Sequence, residues 1–128
     1  MSSRTWTVTI PAPAKWLNAN SRIDRRQLAP VVKLWREAAA VYARQARLPQ
    51  LGKARIVAEL RFTDKQHRDS HNYFLTVKPV IDGLIDYGLL GDDSDGFLTS
   101  VEIRAGELME KKPYGPVGAV HLIISEVS

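Results

Sequence analysis

The sequence predicts an α/β (α+β) domain: two helices and a small mixed sheet in the order β-α-β-α-β-β. Three observations predict it. Apolar residues recur at helical spacing in two segments, Val31–Leu48 and Val77–Tyr87. Short runs that alternate or are rich in β-formers lie before, between and after them, as in a strand-and-helix domain. No repeat, low-complexity tract or linker-like stretch divides the 128 residues, so one domain over 1–128 is expected.

The elements follow in chain order. Trp6-Thr7-Val8-Thr9-Ile10 alternates and stops at Pro11 and Pro13, which reads as the first strand. From Pro11 to Pro30 the chain reads as irregular, a length that in a compact domain is often functional or mobile. The first helix follows, with Leu34, Trp35, Ala38, Ala39, Val41, Tyr42 and Ala46 on its stripe and Pro49 beyond its end. Ala54–Phe62 is a second strand, with Ile56, Ala58, Leu60 and Phe62 on one face and Arg55, Val57, Glu59 and Arg61 on the other. After polar Thr63–Asn72 comes the second helix, whose apolar side is Val77, Val80, Ile81, Leu84 and Ile85. Thr76 as N-cap would put Pro79 in the first turn, and Gly88 supplies the stop. Leu98–Arg104 and Val117–Ile124 are the last strands, and Lys-Lys-Pro-Tyr-Gly-Pro between them suits a hairpin-like connection.

Composition narrows the function classes. There is no cysteine, which excludes disulfide scaffolds, thiolate metal sites and cysteine nucleophiles, and suits a cytoplasmic protein. No membrane-length apolar run or signal-peptide pattern is present, so no membrane partner is expected. The formal charge of +4 is uneven: residues 1–68 carry a net +10 and residues 69–128 a net −6. Such asymmetry points to a polyanionic partner for the basic half, or to nothing beyond uneven charge. A basic surface around an acidic, metal-binding centre would reconcile the halves.

Two polar clusters flank the second helix: Arg68-Asp69-Ser70-His71-Asn72 and Gly91-Asp92-Asp93-Ser94-Asp95. Asp69, Asp92 and Asp93 suit Mg²⁺, which takes carboxylate, water and phosphate oxygens, and Lys78 could stabilise charge on a phosphate. The plainer reading makes Asp69 a cap and Asp92–Asp95 turn chemistry. A helix of this length is about 16 Å long, too long for its ends to share one metal unless the loops fold back. GxxxxGK[ST] and GxGxxG are absent, so no nucleotide cofactor is expected. His67, His71 and His121 form neither HExxH nor a defensible triad, and His121 reads as a sheet-surface or satisfied core residue. Trp35 and Tyr42 read as core, with Trp6 and Trp16 undecided.

Arg68-Asp69-x-His71-Asn72, Lys78-x-x-x-Asp82-Gly83-Leu84 and Gly88-Leu89-Leu90-x-Asp92-Asp93-Ser94 together resemble the RusA family of Holliday-junction resolvases of bacteria and phages. Thr9-Ile10-Pro11, Asn18-x-Asn20-x-Arg22 and the basic first helix are similar as well. The resemblance implies a homodimeric endonuclease that nicks four-way DNA junctions symmetrically with Mg²⁺ or Mn²⁺. It places acidic ligands on Asp69 and Asp93, with Asp92 adjacent, and the family lysine on Lys78, across about three extra residues after Asn72. His71 stands where the best-known pattern has a second aspartate, which favours Mn²⁺ more than an all-carboxylate set would. DNA contacts are expected from Lys15, Asn20, Arg22, Arg25, Arg26 and Arg68. The alternatives are a branched-DNA-binding protein with weak or no catalysis, and a non-DNA interaction module of a small α/β fold.

Overall fold

Strand alternation decides which side of the sheet is covered. The computed structural model describes residues 4–20, 23–92, 94 and 96–127, with only the backbone of Arg25. It contains β1 (Thr5–Pro11), α1 (Arg25–Gln45), β2 (Ala54–Phe62), a 3-10 turn (Ser70–Tyr73), α2 (Phe74–Tyr87), β3 (Leu98–Ala105) and β4 (Gly118–Glu126). Val8 and Ile10, Ile56, Ala58 and Leu60, and Val120, Leu122 and Ile124 form one buried face. That face joins Trp35, Ala39 and Ala43 of α1 and Val77, Val80 and Leu84 of α2 in one core. On the opposite face, residues such as Thr7, Arg55 and His121 are exposed or half-buried, as half-covered strands should be. The result is a small α+β domain of two layers.

The sheet order is β1-β4-β2-β3. β4 runs antiparallel to both neighbours, while β3 lies parallel to β2 on its other side. The expected hairpin between β3 and β4 is therefore corrected. β2 separates them, and the intervening chain first continues along β2, where Gly106 and Met109 donate to the Leu60 and Phe62 carbonyls.

Two helix starts also differ from expectation, in both cases because a proline stands inside the helix and not at its boundary. α1 begins before Pro30, capped by Asp24, whose side chain accepts from Arg26 N–H. Pro30 cannot bond the Arg26 carbonyl, but it is exposed near the helix end, where water can take that carbonyl. α2 begins at Phe74, so Pro79 lies beyond the first turn and Thr76 is interior, not a cap. Gly88 ends α2 in a left-handed conformation, φ 107°. Part of the α1 stripe is not core: Leu34 and Val41 are 44% and 42% exposed.

α1 and α2 lie together because Gly83 lets them approach. A Cβ there would stand 2.2 Å from the Arg36 carbonyl oxygen and 2.7 Å from the Ala39 Cβ. Arg36 then reaches Asp86 with two hydrogen bonds of 2.5 and 2.8 Å. That pairing raises the guanidinium's pKa and lowers the carboxyl's. Both side chains are nearly half exposed, so the pair orients the helices more than it stabilises them.

Gly83→Ala should destabilise the fold by about 1–3 kcal/mol through overpacking, read as a lower urea midpoint with an unchanged slope. A second prediction concerns acid. On the open sheet face His121 accepts or donates to Thr9 Oγ1 at 2.7 Å. Desolvation first, then Arg61, lowers its pKa, against smaller opposing effects of Glu59 and Glu107. The unfolded imidazole therefore binds its proton more readily than the folded one. Its contribution is fully present above the unfolded pKa of about 6.5 and is lost as pH falls through the lowered folded value. Melting curves from neutral to acidic pH should show this loss, and His121→Asn should remove that part of it.

Candidate functional site

The segment after β1 is irregular but firmly held. Thr76 is fully buried, and its hydroxyl accepts from Leu17 N–H at 2.8 Å and donates to Leu17 C=O at 2.6 Å. Ala19 N–H donates to Asn72 C=O at 2.8 Å, and Trp35 Nε1 donates to Lys15 C=O at 3.0 Å. Trp16 packs on Phe62, Trp35 and Tyr73 at centroid distances of 4.8, 5.4 and 5.7 Å. Its Nε1 reaches Val117 C=O at 3.3 Å. Gly118 makes room for it: a Cβ there would lie 2.4 Å from Trp16 Cζ2.

These anchors shape a cleft of about 570 Å³. The segment after β1 contributes Trp16, Asn18 and Asn20, and the chain after β2 contributes Gln66, His67, Arg68 and Asp69. The 3-10 turn adds Asn72 and Tyr73. Arg68 stacks 4.0 Å over the Phe62 ring and donates to both Asp64 oxygens at 2.8 and 3.1 Å and to Gln66 C=O at 3.2 Å. The Asp64 bond raises the pKa of Arg68, and the same bond lowers that of Asp64. Among the described residues the one guanidinium on the cleft is thus already paired.

Only some of the residues singled out from sequence converge here. Asp69, Arg68 and Asn20 line the cleft; Lys15, Arg26, His71, Lys78 and Asp92 do not. Arg22 and Asp93 lie outside the described residues, as does the side chain of Arg25. Arg25 and Arg26 open α1 and are not in a loop free to follow a phosphate backbone. Asp69 caps the 3-10 turn, accepting from His71 N–H at 3.1 Å. Asp92 accepts from Ser94 N–H at 2.7 Å in a tight turn, and Lys78 pairs with Asp82 at 2.8 Å one turn on. Asp69 and Asp92 flank a helix of 14 residues, about 21 Å long at 1.5 Å per residue. Among the described residues no group of three His, Cys, Asp or Glu side chains could hold a metal ion. No helix among them is long and apolar enough to cross a membrane. Gln66 and Tyr73 had no signal in the sequence as site residues, because their convergence with Trp16 is purely tertiary.

The cap makes Asp69 testable. Asp69→Ala should cost about 0.5–2 kcal/mol in chemical denaturation, whereas Asp69→Asn, an equally good cap, should stay close to the parent. Equal losses in both variants would show that the carboxylate charge, not the cap, is what the position needs.

No family model and no curated protein matches the chain. Two solved structures align with 95% of it: the periplasmic domain of MotB (residues 64–256), at 18% identity and a TM-score of 0.43, and the periplasmic domain of Helicobacter pylori MotB (residues 97–256), at 17% and 0.40. The chain spans 64% of the first and 83% of the second. At these scores the likeness carries no argument about what this chain binds. The expectation of a junction-resolving endonuclease working on branched DNA is corrected on the geometry of the site. The physical reason lies in the site: Asp69 and Asp92 are engaged in a cap and a turn, Lys78 in an ion pair, and among the described residues the cleft lining holds four carboxamides and no second carboxylate beside Asp69.

Proposed function

We propose that the protein is a non-DNA interaction module that takes a polar portion of a partner into this cleft. The observation that carries the reading is the lining: four carboxamides, two aromatic rings and a guanidinium already paired to Asp64. A carboxamide carries both N–H donors and a carbonyl acceptor, so the cleft can satisfy a polar ligand in either sense, even with Asn18 Oδ1 already serving Asn20 N–H. Its volume falls in the range of small-ligand sites, roughly 300–1,000 Å³. Buried anchors hold its walls before any ligand arrives, which lowers the ordering cost of binding. Among the described lining residues a polyanion would find little free positive charge, since Arg68 is paired and Asp69 adds a negative group. With no thiol to oxidise, the reading is independent of whether the compartment is reducing or oxidising.

The test is amide-detected NMR with a mixed set of small probes: neutral polyols, blocked peptides, carboxylates and phosphates. At least one class should shift the backbone and side-chain amides of residues 16–20 and 66–73 together. Asn20→Ala and Gln66→Ala should weaken that class while leaving the melting temperature unchanged. Shifts confined to other surfaces, or none in the cleft with any class, would overturn the reading.

A further inference from the structure

Which chemistry fits the cleft follows from its charge, its donors and its rings. We infer that the ligand is a neutral saccharide, an inference that rests on the cleft being a ligand site at all. Anions are disfavoured because Arg68 directs both terminal nitrogens to Asp64, one of them also to Gln66 C=O, and lays its face on Phe62. Cations are disfavoured because among the described residues the lining offers a single carboxylate, Asp69, and one of its oxygens already serves His71 N–H. Among the described lining residues the formal charges of Arg68 and Asp69 cancel.

What remains is a dense set of neutral hydrogen-bonding groups beside aromatic surface. Asn20, Gln66 and Asn72 can each donate and accept, while Asn18 Oδ1 already accepts from Asn20 N–H at 2.9 Å. A sugar hydroxyl does both at one atom, so neighbouring hydroxyls match neighbouring carboxamides without leaving a buried group unpaired. A pyranose also has a C–H face, which needs apolar surface beside the polar groups, and half-buried Trp16, backed by buried Tyr73, supplies it on the cleft wall. The Trp16 ring is set by Phe62 and Trp35 and by its bond to Val117 C=O, so little freedom is lost when a ligand stacks on it.

A peptide is the nearest rival, since its backbone also donates and accepts. Extended peptides gain affinity by adding to an open strand edge. The cleft's walls are the segment after β1 and the chain before α2, where Ala19 N–H and Asn72 C=O are already bonded to each other. This arrangement presents side chains, not a backbone ladder, to the occupant.

The experiment is a glycan array of neutral oligosaccharides (oligomers of glucose, mannose, galactose and N-acetylglucosamine) with sulfated and sialylated glycans alongside. Hits are titrated by NMR against the same residues, with blocked peptides as the comparison. A neutral oligosaccharide should shift the cleft residues, with affinity nearly unchanged between about 50 and about 500 mM salt. Asn20→Ala and Gln66→Ala should each weaken it about 3- to 10-fold, as expected for one lost neutral hydrogen bond. Binding only of charged glycans, or binding that collapses in salt, would overturn the inference. So would peptides or carboxylates shifting the cleft while every saccharide fails, an outcome that leaves the interaction-module reading standing. If no class shifts the cleft, both readings fall together.

Discussion

One buried hydroxyl organises the functional end of the molecule. Thr76 sits fully inside the protein and is answered by both backbone groups of a single residue, Leu17. A buried hydroxyl without partners is costly, and so are a buried N–H and C=O. The three groups cancel one another's cost only in one relative placement of the segment after β1 and α2. Once that placement is set, Leu17 fills the core, Trp16 meets Phe62 and Tyr73, and Ala19 reaches Asn72. The cleft is the space left between two walls that this pairing holds in register.

The uneven charge of the chain reads differently in three dimensions. Arg36 of the basic half meets Asp86 of the acidic half, and Arg4 meets Glu126. Glu59, one of the few acids of the first half, meets Arg104 of the second. What looks along the sequence like a cationic module followed by an anionic one thus contains charges that fold back onto each other as partners. These pairs are exposed and weak singly, so their effect is mostly on alignment. They also reduce the free positive charge that a polyanion would need.

The layer architecture was legible because it rests on local periodicity. Ile56, Ala58, Leu60 and Phe62 fall on one face by alternation alone, and the burial follows. Val77, Val80, Ile81 and Leu84 mark α2 by the same logic at helical spacing. Strand pairing was less legible: nothing in Leu98–Ala105 says that its neighbour is β2 and not β4, since both pairings bury the same side chains. The helix starts were obscured by Pro30 and Pro79, each tolerated inside a helix that tertiary packing supports. At the site, Asp69, Asn20 and Arg68 were picked out by a motif, and all three line the cleft. Trp16, Gln66 and Tyr73 come together only through the sheet and the Thr76 anchor, which no window of sequence contains.

The strand order has a consequence for how the chain is made. β1 pairs with β4 alone, and Thr5 and Ser125 stand 120 residues apart in sequence. β4 also completes the antiparallel side of β2. During synthesis on the ribosome, β1 and one side of β2 therefore wait as open edges until residues 118–126 have emerged. Closing so long a loop is slow, and open edges in the interval invite pairing with other nascent chains. When β4 arrives it seals two ladders at once. The strand that is synthesised last is the one that turns two unfinished halves into a sheet.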